Sequence, residues 1–484
     1  MSLGERSREV GRSIFFAASN WITLTGVVLT TSAGITLVMF WLMEMLSPRP
    51  VNPYAGMLLF TLLPGVFLLG LILMPLGIYL RRRKLRKAGS LPHESPKIDL
   101  GLPSVRKMIF FVALATCANV VIMGTAGYKG VSYMDSAQFC GLTCHTPMQP
   151  EYTAYLNSPH SRVECVQCHV GPGVQGFLRA KLAGTRQLVG VLFNSYQRPI
   201  PSPVHSLRPA RETCEHCHWP QKFTGDKLVV LTKYADDEAN TPSTTVLLLK
   251  IGGHSPQGAV GIHGRHLDAG SRVTYVTTDP ERQVIPKVIY RENSGKLVTF
   301  ETDDYKSLTP AQLAKAETRT MDCIDCHNRP THAFELPERA VDEAMSSHAI
   351  STDLPFIKKK AVEVLKVDYP SREAARAQIP AALAAYYQAS YPAVFQQHKD
   401  LVDQASQAVL AIYLRNVFPE MKLTWGAHPN NLGHDDFPGC NRCHDGSHTS
   451  ADGQTIPADC DTCHVILAQD EKDPKILKDL GLAK

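Results

Sequence analysis

Three long runs of the chain carry no charged side chain. They extend from Ser13 to Met43, from Ala55 to Leu80 and from Met108 to Tyr128. Runs of this length match the thickness of a bilayer, so each predicts a transmembrane helix. Pro64 and Pro75 fall inside the second. The first is too long for a signal peptide, and no clear small-residue cleavage site follows it. Beyond residue 128 the pattern changes. Residues 227–305 hold the β-branched and aromatic runs "KLVVLTKY", "TTVLLLKI", "RVTYVTT" and "KVIYREN", broken by Gly, Pro and Asp. They predict a small β insertion. Residues 309–320 and 335–417 read as helical. "SREAARAQIPAALAAYYQ" and "KDLVDQASQAVLAIYLRNVF" place apolar residues three and four apart. Pro380 is expected to kink or begin a helix there. After residue 420 few regular elements are expected.

The net charge of +5 changes this picture little, because the basic residues cluster. "RRRKLRK", Arg81–Lys87, follows the second run, and Arg106 and Lys107 stand at the far end of the same loop. The excess of Lys and Arg predicts that this loop is cytoplasmic. The loop around "SPRPVNPY" carries only Arg49 and is expected outside. The N-terminus, with Arg6, Arg8 and Arg12, is then inside, and the third helix emerges outside. No histidine lies in the three runs, which argues against a haem held within the bilayer by paired histidines. No nucleic-acid partner is expected.

The cysteines bring in the chemistry. Of thirteen, twelve form six close pairs, all after the third run, and Cys117 stands alone in an apolar run. Five pairs read C-x-x-C-H: Cys165, Cys168 and His169; Cys214, Cys217 and His218; Cys323, Cys326 and His327; Cys440, Cys443 and His444; Cys460, Cys463 and His464. The first pair is stretched, "CGLTCH", with Cys140, Cys144 and His145. Disulfide frameworks seldom place a histidine after every second cysteine. A zinc ribbon fits Cys440, Cys443, Cys460 and Cys463 by spacing alone. Covalent haem explains more. Two residues between thiols let one helical turn span the two vinyl groups of a porphyrin, and the next histidine ligates the iron. Six covalent c-type haems are therefore expected.

The outer part is rich in Pro, Gly and charge, and haem discs can supply the core that it lacks. The expected organisation is a membrane anchor over 1–128 and a three-haem module over 129–226. The β insertion over 227–305 follows. A helical region with the fourth haem spans 306–420, and a module with the fifth and sixth spans 421–484. The fold class is a multihaem cytochrome c, with three transmembrane helices and a loop-rich, mostly α haem domain outside. A second axial histidine makes an iron six-coordinate and suited to electron transfer. Candidates are His160, His263, His266, His332, His434 and His448, each near a motif or in the β insertion. Met148, three residues past His145, is a candidate thioether ligand for the first haem; the bland alternative is packing on the ring.

The stretches "CGLTCHTPMQPEYTAYLNSPHSRVECVQCHVGPG" and "LRPARETCEHCHWP" resemble the NapC/NirT family of membrane-anchored multihaem cytochromes. "HDDFPGCNRCHDGSH" resembles inner-membrane quinol cytochromes of the ImcH type. The resemblance covers most of residues 129–484. It implies a quinol dehydrogenase of the bacterial inner membrane that passes electrons to periplasmic redox proteins. The first motif departs from the family's spacing by one residue between the cysteines and one between His and Met. A family lysine that helps to hold quinol falls, by its offset from the second motif, on Lys181. The alternative for Lys181 is a lipid-headgroup contact.

The functional expectation is quinol oxidation near the first haem, with Lys181, Asp135 and Glu151 as candidates to accept or relay protons. Electrons then leave along the haem chain toward the C-terminus. The alternative is a conduit subunit of a larger respiratory complex, without its own quinol site. A terminal reductase would need a five-coordinate haem in a cationic pocket, and no motif with an unusual lysine ligand is present.

Overall fold

The computed structural model describes residues 20–46, 62–89, 101, 103–170, 173–204, 209–219, 222–223, 225–255, 258–267, 272–292 and 294–482. The chain divides into two compact units, Met1–Cys144 and His145–Lys484.

The first unit holds helices α1 (Trp21–Leu46), α2 (Leu63–Lys87) and α3 (Pro103–Asp135). All three are long and apolar enough to cross a membrane. The starts of the first two uncharged runs, from Ser13 and from Ala55, lie outside the described residues. Helices α1 and α2 approach closely through small residues. A methyl group on Gly26 would stand 2.8 Å from the Gly70 carbonyl oxygen. Without a hydrophobic drive between helices in lipid, such backbone approach is how membrane helices associate. Phe67 fills the space beside Gly34 and is buried. Helix α3 instead exposes Phe110, Phe111, Val120 and Val121, as a lipid-facing helix does.

The second unit opens with α4 (His145–Leu156) and continues through α5 (Gly173–Leu192). Strands β1 (Lys227–Tyr234), β2 (Pro242–Leu249), β3 (Gly253–Ser255) and β4 (Gly258–Val260) lead into the short helix α6 (Gly261–Leu267). Then come β5 (Arg272–Thr277), β6 (Lys287–Arg291), β7 (Leu297–Glu301), β8 (Glu317–Thr320), β9 (Thr449–Ser450) and β10 (His464–Glu471).

The expected β region exists, and its pairing differs from a self-contained insertion. One antiparallel sheet runs β1-β2-β10 and another runs β8-β5-β6-β7-β9. The C-terminal strand β10 covers the free edge of β2, with His464 opposite Leu249. An uncovered edge presents unpaired backbone groups, and β10 satisfies them. Residues 309–320 are a helix only in part. A capping box between Thr309 and Gln312 starts a single turn, Pro310–Leu313. The chain then becomes β8, which pairs with β5 from Thr274 opposite Thr320. Here an open sheet edge overrides local propensity.

The main apolar core lies in the predicted helical region. It is built by α7 (Pro337–Ser346), α8 (Ile357–Leu365), α9 (Arg372–Ser390) and α10 (Lys399–Asn416). On α9, Ile379, Leu383 and Tyr387 recur every fourth residue and are fully buried. Ser371 caps this helix by accepting from Ala374 N. The helix runs on through Pro380 instead of beginning at it. A buried ion pair, Lys358 Nζ to Asp342 at 2.6 Å, ties α8 to α7. No haem motif falls within these four helices, so this core forms from side chains alone.

Candidate haem-binding sites

Each C-x-x-C-H motif is folded as one tight turn. His218 N donates to Cys214 O at 2.7 Å, His327 N to Cys323 O at 2.8 Å and His444 N to Cys440 O at 3.1 Å. Cys165–His169 and Cys460–Cys463 are short helices of the same kind. This turn puts the first cysteine and the histidine on one face. Gly439, with φ of +48°, brings the chain into the fifth motif beside the Gly433 carbonyl, where no side chain would fit. The stretched first motif is solved locally: Phe139–Thr143 is a π-helical turn. A π turn closes over one more residue than an α turn, which takes up the extra residue between Cys140 and Cys144. His145 begins α4, and Met148 is half-buried three residues along it.

The five regular motif histidines each face a second histidine. Ring centres stand 6.2 Å apart for His169 and His332, and 6.0 Å for His218 and His160. They stand 6.3 Å apart for His327 and His263, 5.9 Å for His444 and His266, and 6.2 Å for His464 and His434. A metal–imidazole bond runs about 2 Å. Adding about 1 Å from nitrogen to ring centre on each side, two imidazoles that share one iron stand about 6 Å apart. The spacing thus fits a six-coordinate haem iron at each pair.

Hydrogen bonds set the tautomers. His160 Nδ1 lies 3.2 Å from Pro330 O, His332 Nδ1 3.0 Å from Glu151 O, His266 Nδ1 2.7 Å from Ile262 O and His444 Nδ1 2.6 Å from Pro457 O. A carbonyl oxygen only accepts, so Nδ1 carries the proton and Nε2 keeps its lone pair for a metal. Burial, and after it the partner ring, hold His169, His327 and His464 below the usual histidine range. Burial alone does so for His263, and burial with His444 for His266. Neutral imidazole is the ligating form.

His448 is placed otherwise. It is buried, and its Nε2 stands 2.7 Å from Ile285 O. That nitrogen must carry the proton, so the lone pair needed by an iron is absent there. Asp445 lies 3.4 Å from its Nδ1. The expected ligand is instead a clasp between the fifth motif and the strand region before β6. The zinc alternative finds no support either. Among the described residues no three His, Cys, Asp or Glu side chains converge on a common point. All thirteen cysteines are unbridged.

The pairs cross-link distant segments. Helix α6 carries both His263 and His266, so one turn of helix serves the fourth and the fifth motif. The loop of His434 is held by ion pairs of its two following acids, Asp435 to Lys233 on β1 and Asp436 to Arg339 on α7, each at 2.9 Å. Neighbouring motifs also touch. The thiols of Cys214 and Cys323 act on each other, which lowers the first and raises the second. The Cys326 thiol is pushed up to about 12, by burial first and by Cys440 second.

Sequence reasoning missed the charged residues inside the motif spacers. Asp325 lies between the cysteines of the fourth motif and is buried. Its carboxylate accepts from Tyr275 OH at 2.6 Å and Asp322 N at 2.7 Å, with Arg319 Nε at 3.6 Å. Arg442 lies between the cysteines of the fifth. It donates to Gly439 O and Arg282 O at 2.8 Å each, and to Asp325 O at 2.5 Å. A charged residue in a short spacer that the neighbouring fold buries was the available signal.

The three proton-handling candidates lie on three different elements. Asp135 ends α3 in the first unit. Glu151, on α4, has its carboxylate 3.2 Å from His332 Nδ1 and 3.6 Å from Arg329. Lys181 lies on α5.

Comparison with known proteins finds c-type cytochromes. The model of the NapC/NirT cytochrome c family, N-terminal region, matches residues 102–200. The chain is 44% identical over 455 residues to the cytochrome c-type protein ImcH of Geobacter sulfurreducens, which covers 93% of this chain and 88% of that one. It is 29% identical over 114 residues to the cytochrome c-type protein NrfH of Wolinella succinogenes, 23% of this chain and 62% of that one. No solved structure matches. With its repeated haem-attachment turns, its apolar helices and this likeness along nearly its whole length, the chain belongs to the NapC/NirT family of membrane-type multihaem c-type cytochromes, in an ImcH-like form.

Proposed function

We propose that this protein oxidises quinol at the outer face of the bacterial inner membrane and passes the electrons along six covalent haems to periplasmic redox proteins. The observation that carries this reading is the set of five imidazole pairs 5.9 to 6.3 Å apart. Haem bound at each motif supplies a one-electron carrier. His169 with His332, His218 with His160, His327 with His263, His444 with His266 and His464 with His434 would hold five of the haems, and a haem so held would carry electrons and leave no position for a substrate.

The first motif is the exception, and the quinol reaction belongs near it. Positions 145 and 148 lie three residues apart on α4, hence on one side of that helix. His145 or Met148 would hold a haem bound at this motif, and the haem would supply a one-electron carrier there. Quinol gives up two electrons and two protons. The electrons leave singly along the motifs. Lys181 hydrogen-bonds a quinol oxygen as its proton departs to water on the outer side. Glu151 is engaged with His332 and Arg329, and Lys181 and Asp135 are the other candidates for handling that proton. The clustering of Arg81–Lys87 after α2 supports a cytoplasmic loop there and an outer haem domain.

Whole-protein mass spectrometry and stopped-flow absorbance test this together. Six haem masses, and reduction of the purified protein by a quinol analogue, are expected. A protein that ignores the quinol while taking electrons from dithionite would sink the proposal and leave a conduit.

A further inference from the structure

Helix α5 is long, and it buries little. Residues 182–189 are exposed without exception. Yet Leu178, Leu182, Leu188, Val189 and Leu192 are all apolar and all exposed, Leu182 at 74% and Leu192 at 71%. At 3.6 residues per turn these five fall within about 120° of arc. Arg179 and Arg186 line one border of that stripe, while Lys181 falls inside its other edge, between Leu188 and Leu192. The opposite side is small and uncharged, with Ala180, Ala183, Gly184 and Gln187. The stripe continues into Phe193, 77% exposed. Five exposed aliphatic side chains on one arc, interrupted only by Thr185 and Lys181, mark a surface with a partner.

Charge identifies that partner. There is no Asp or Glu between Glu164 and Glu212, whereas Arg179, Lys181, Arg186, Arg198, Arg208 and Arg211 fall in that interval. An apolar stripe bordered by cations, with no acid in its own stretch of sequence, is the pattern of a helix lying in a lipid interface. Its leucines enter the acyl boundary, while the Lys and Arg stems reach back to headgroup phosphates. The same chain carries three helices apolar enough to span a bilayer, so a lipid surface is always at hand.

We infer that α5 is an interfacial helix that lies on the bilayer and selects anionic lipid. Leu178, Leu182, Val189 and Leu192 enter the lipid, and Arg179 and Arg186 bind the headgroups. The inference does not depend on quinol oxidation, and lipid association could hold in a pure conduit.

Amide hydrogen exchange on the full haem-loaded protein in nanodiscs tests it. In discs rich in phosphatidylglycerol, residues 178–192 are expected to exchange on the order of tenfold more slowly than in phosphatidylcholine discs. L182E combined with V189E should abolish that protection in both lipids, with an unchanged haem spectrum as the check on folding. R179Q combined with R186Q keeps the apolar stripe, so it should remove the difference between lipids and leave the residual protection. Exchange that is the same in both lipids for the unaltered protein would overturn the inference. So would protection that appears in detergent and rises with protein concentration, which would mean a second copy covers the face.

Discussion

Arg442 Nη2 donates to the main-chain oxygen of Asp325, 2.5 Å away, and so joins the spacer of the fifth motif to the spacer of the fourth. Both residues are buried. The guanidinium also satisfies the carbonyls of Gly439 and Arg282. Arg442 is thus one of the ties that set the relative position of two haem-attachment turns, beside Asn431, whose Nδ2 also donates to Asp325 O. Arg442→Met would leave three buried carbonyls short of a donor. The expected loss is about 2–4 kcal/mol of stability, seen as a lower thermal midpoint with the covalent haem content unchanged. Arg442→Lys should fall between, because an ammonium cannot reproduce the fork. An unchanged midpoint in Arg442→Met would show that the clasp is dispensable.

His160 and His448 separate ligation from simple burial. His160 has Nδ1 on a carbonyl and its ring facing His218, whereas His448 has Nε2 on a carbonyl. His160→Ala should convert one low-spin haem to high-spin while all thioether links survive. His448→Ala should lower stability and leave the spin-state spectrum as it was. The reverse outcome in electron paramagnetic resonance would exchange their roles.

Lys181 tests the quinol site. Lys181→Ala is expected to slow haem reduction by a quinol analogue by roughly ten- to a thousandfold, the range for losing one positioned polar group. Dithionite should reduce the variant at the normal rate, since it reaches any exposed haem edge. A parallel fall in both rates would point to a damaged fold, and an unchanged quinol rate would leave Lys181 only a headgroup contact.

His428 makes a prediction about acid stability. It is buried, 5.9 Å from the Phe334 ring. Burial, helped by Arg329, pushes it down to about 4 from the usual 6.5. The unfolded chain therefore binds this proton at higher pH than the folded one. The contribution is complete above about 6.5 and is lost as pH falls toward 4. The scale is on the order of 1–3 kcal/mol, taken below the full shift because the ring is not sealed from water. His428→Phe should flatten the denaturation midpoint across this window relative to the unaltered protein. Identical slopes would show that another group is responsible.

The haem attachments could be read from the chain because they are local. Cys440, Cys443 and His444 must lie within one turn to meet one porphyrin, so spacing alone carries the signal. The uncharged runs that became α1, α2 and α3 are equally local, since a lipid environment acts on each segment by its own composition. The helices of the apolar core announced themselves by periodicity for the same reason, Pro380 notwithstanding. Partnership between distant segments was a different matter. His160 precedes the second motif and faces the histidine of the third, and His332 follows the fourth and faces that of the second. Proximity in sequence would have paired them otherwise. His266 and His448 look alike as letters, and only the carbonyl that each meets decides which nitrogen stays open to iron. Strand β10 finds β2 from the far end of the chain because β2 has an edge to cover. The spacer residues Asp325 and Arg442 became partners only once two motifs were folded against each other. Composition and spacing act within a turn or a segment, while ligand pairing, edge closure and buried charge are settled between segments, by which groups the packed chain removes together from water.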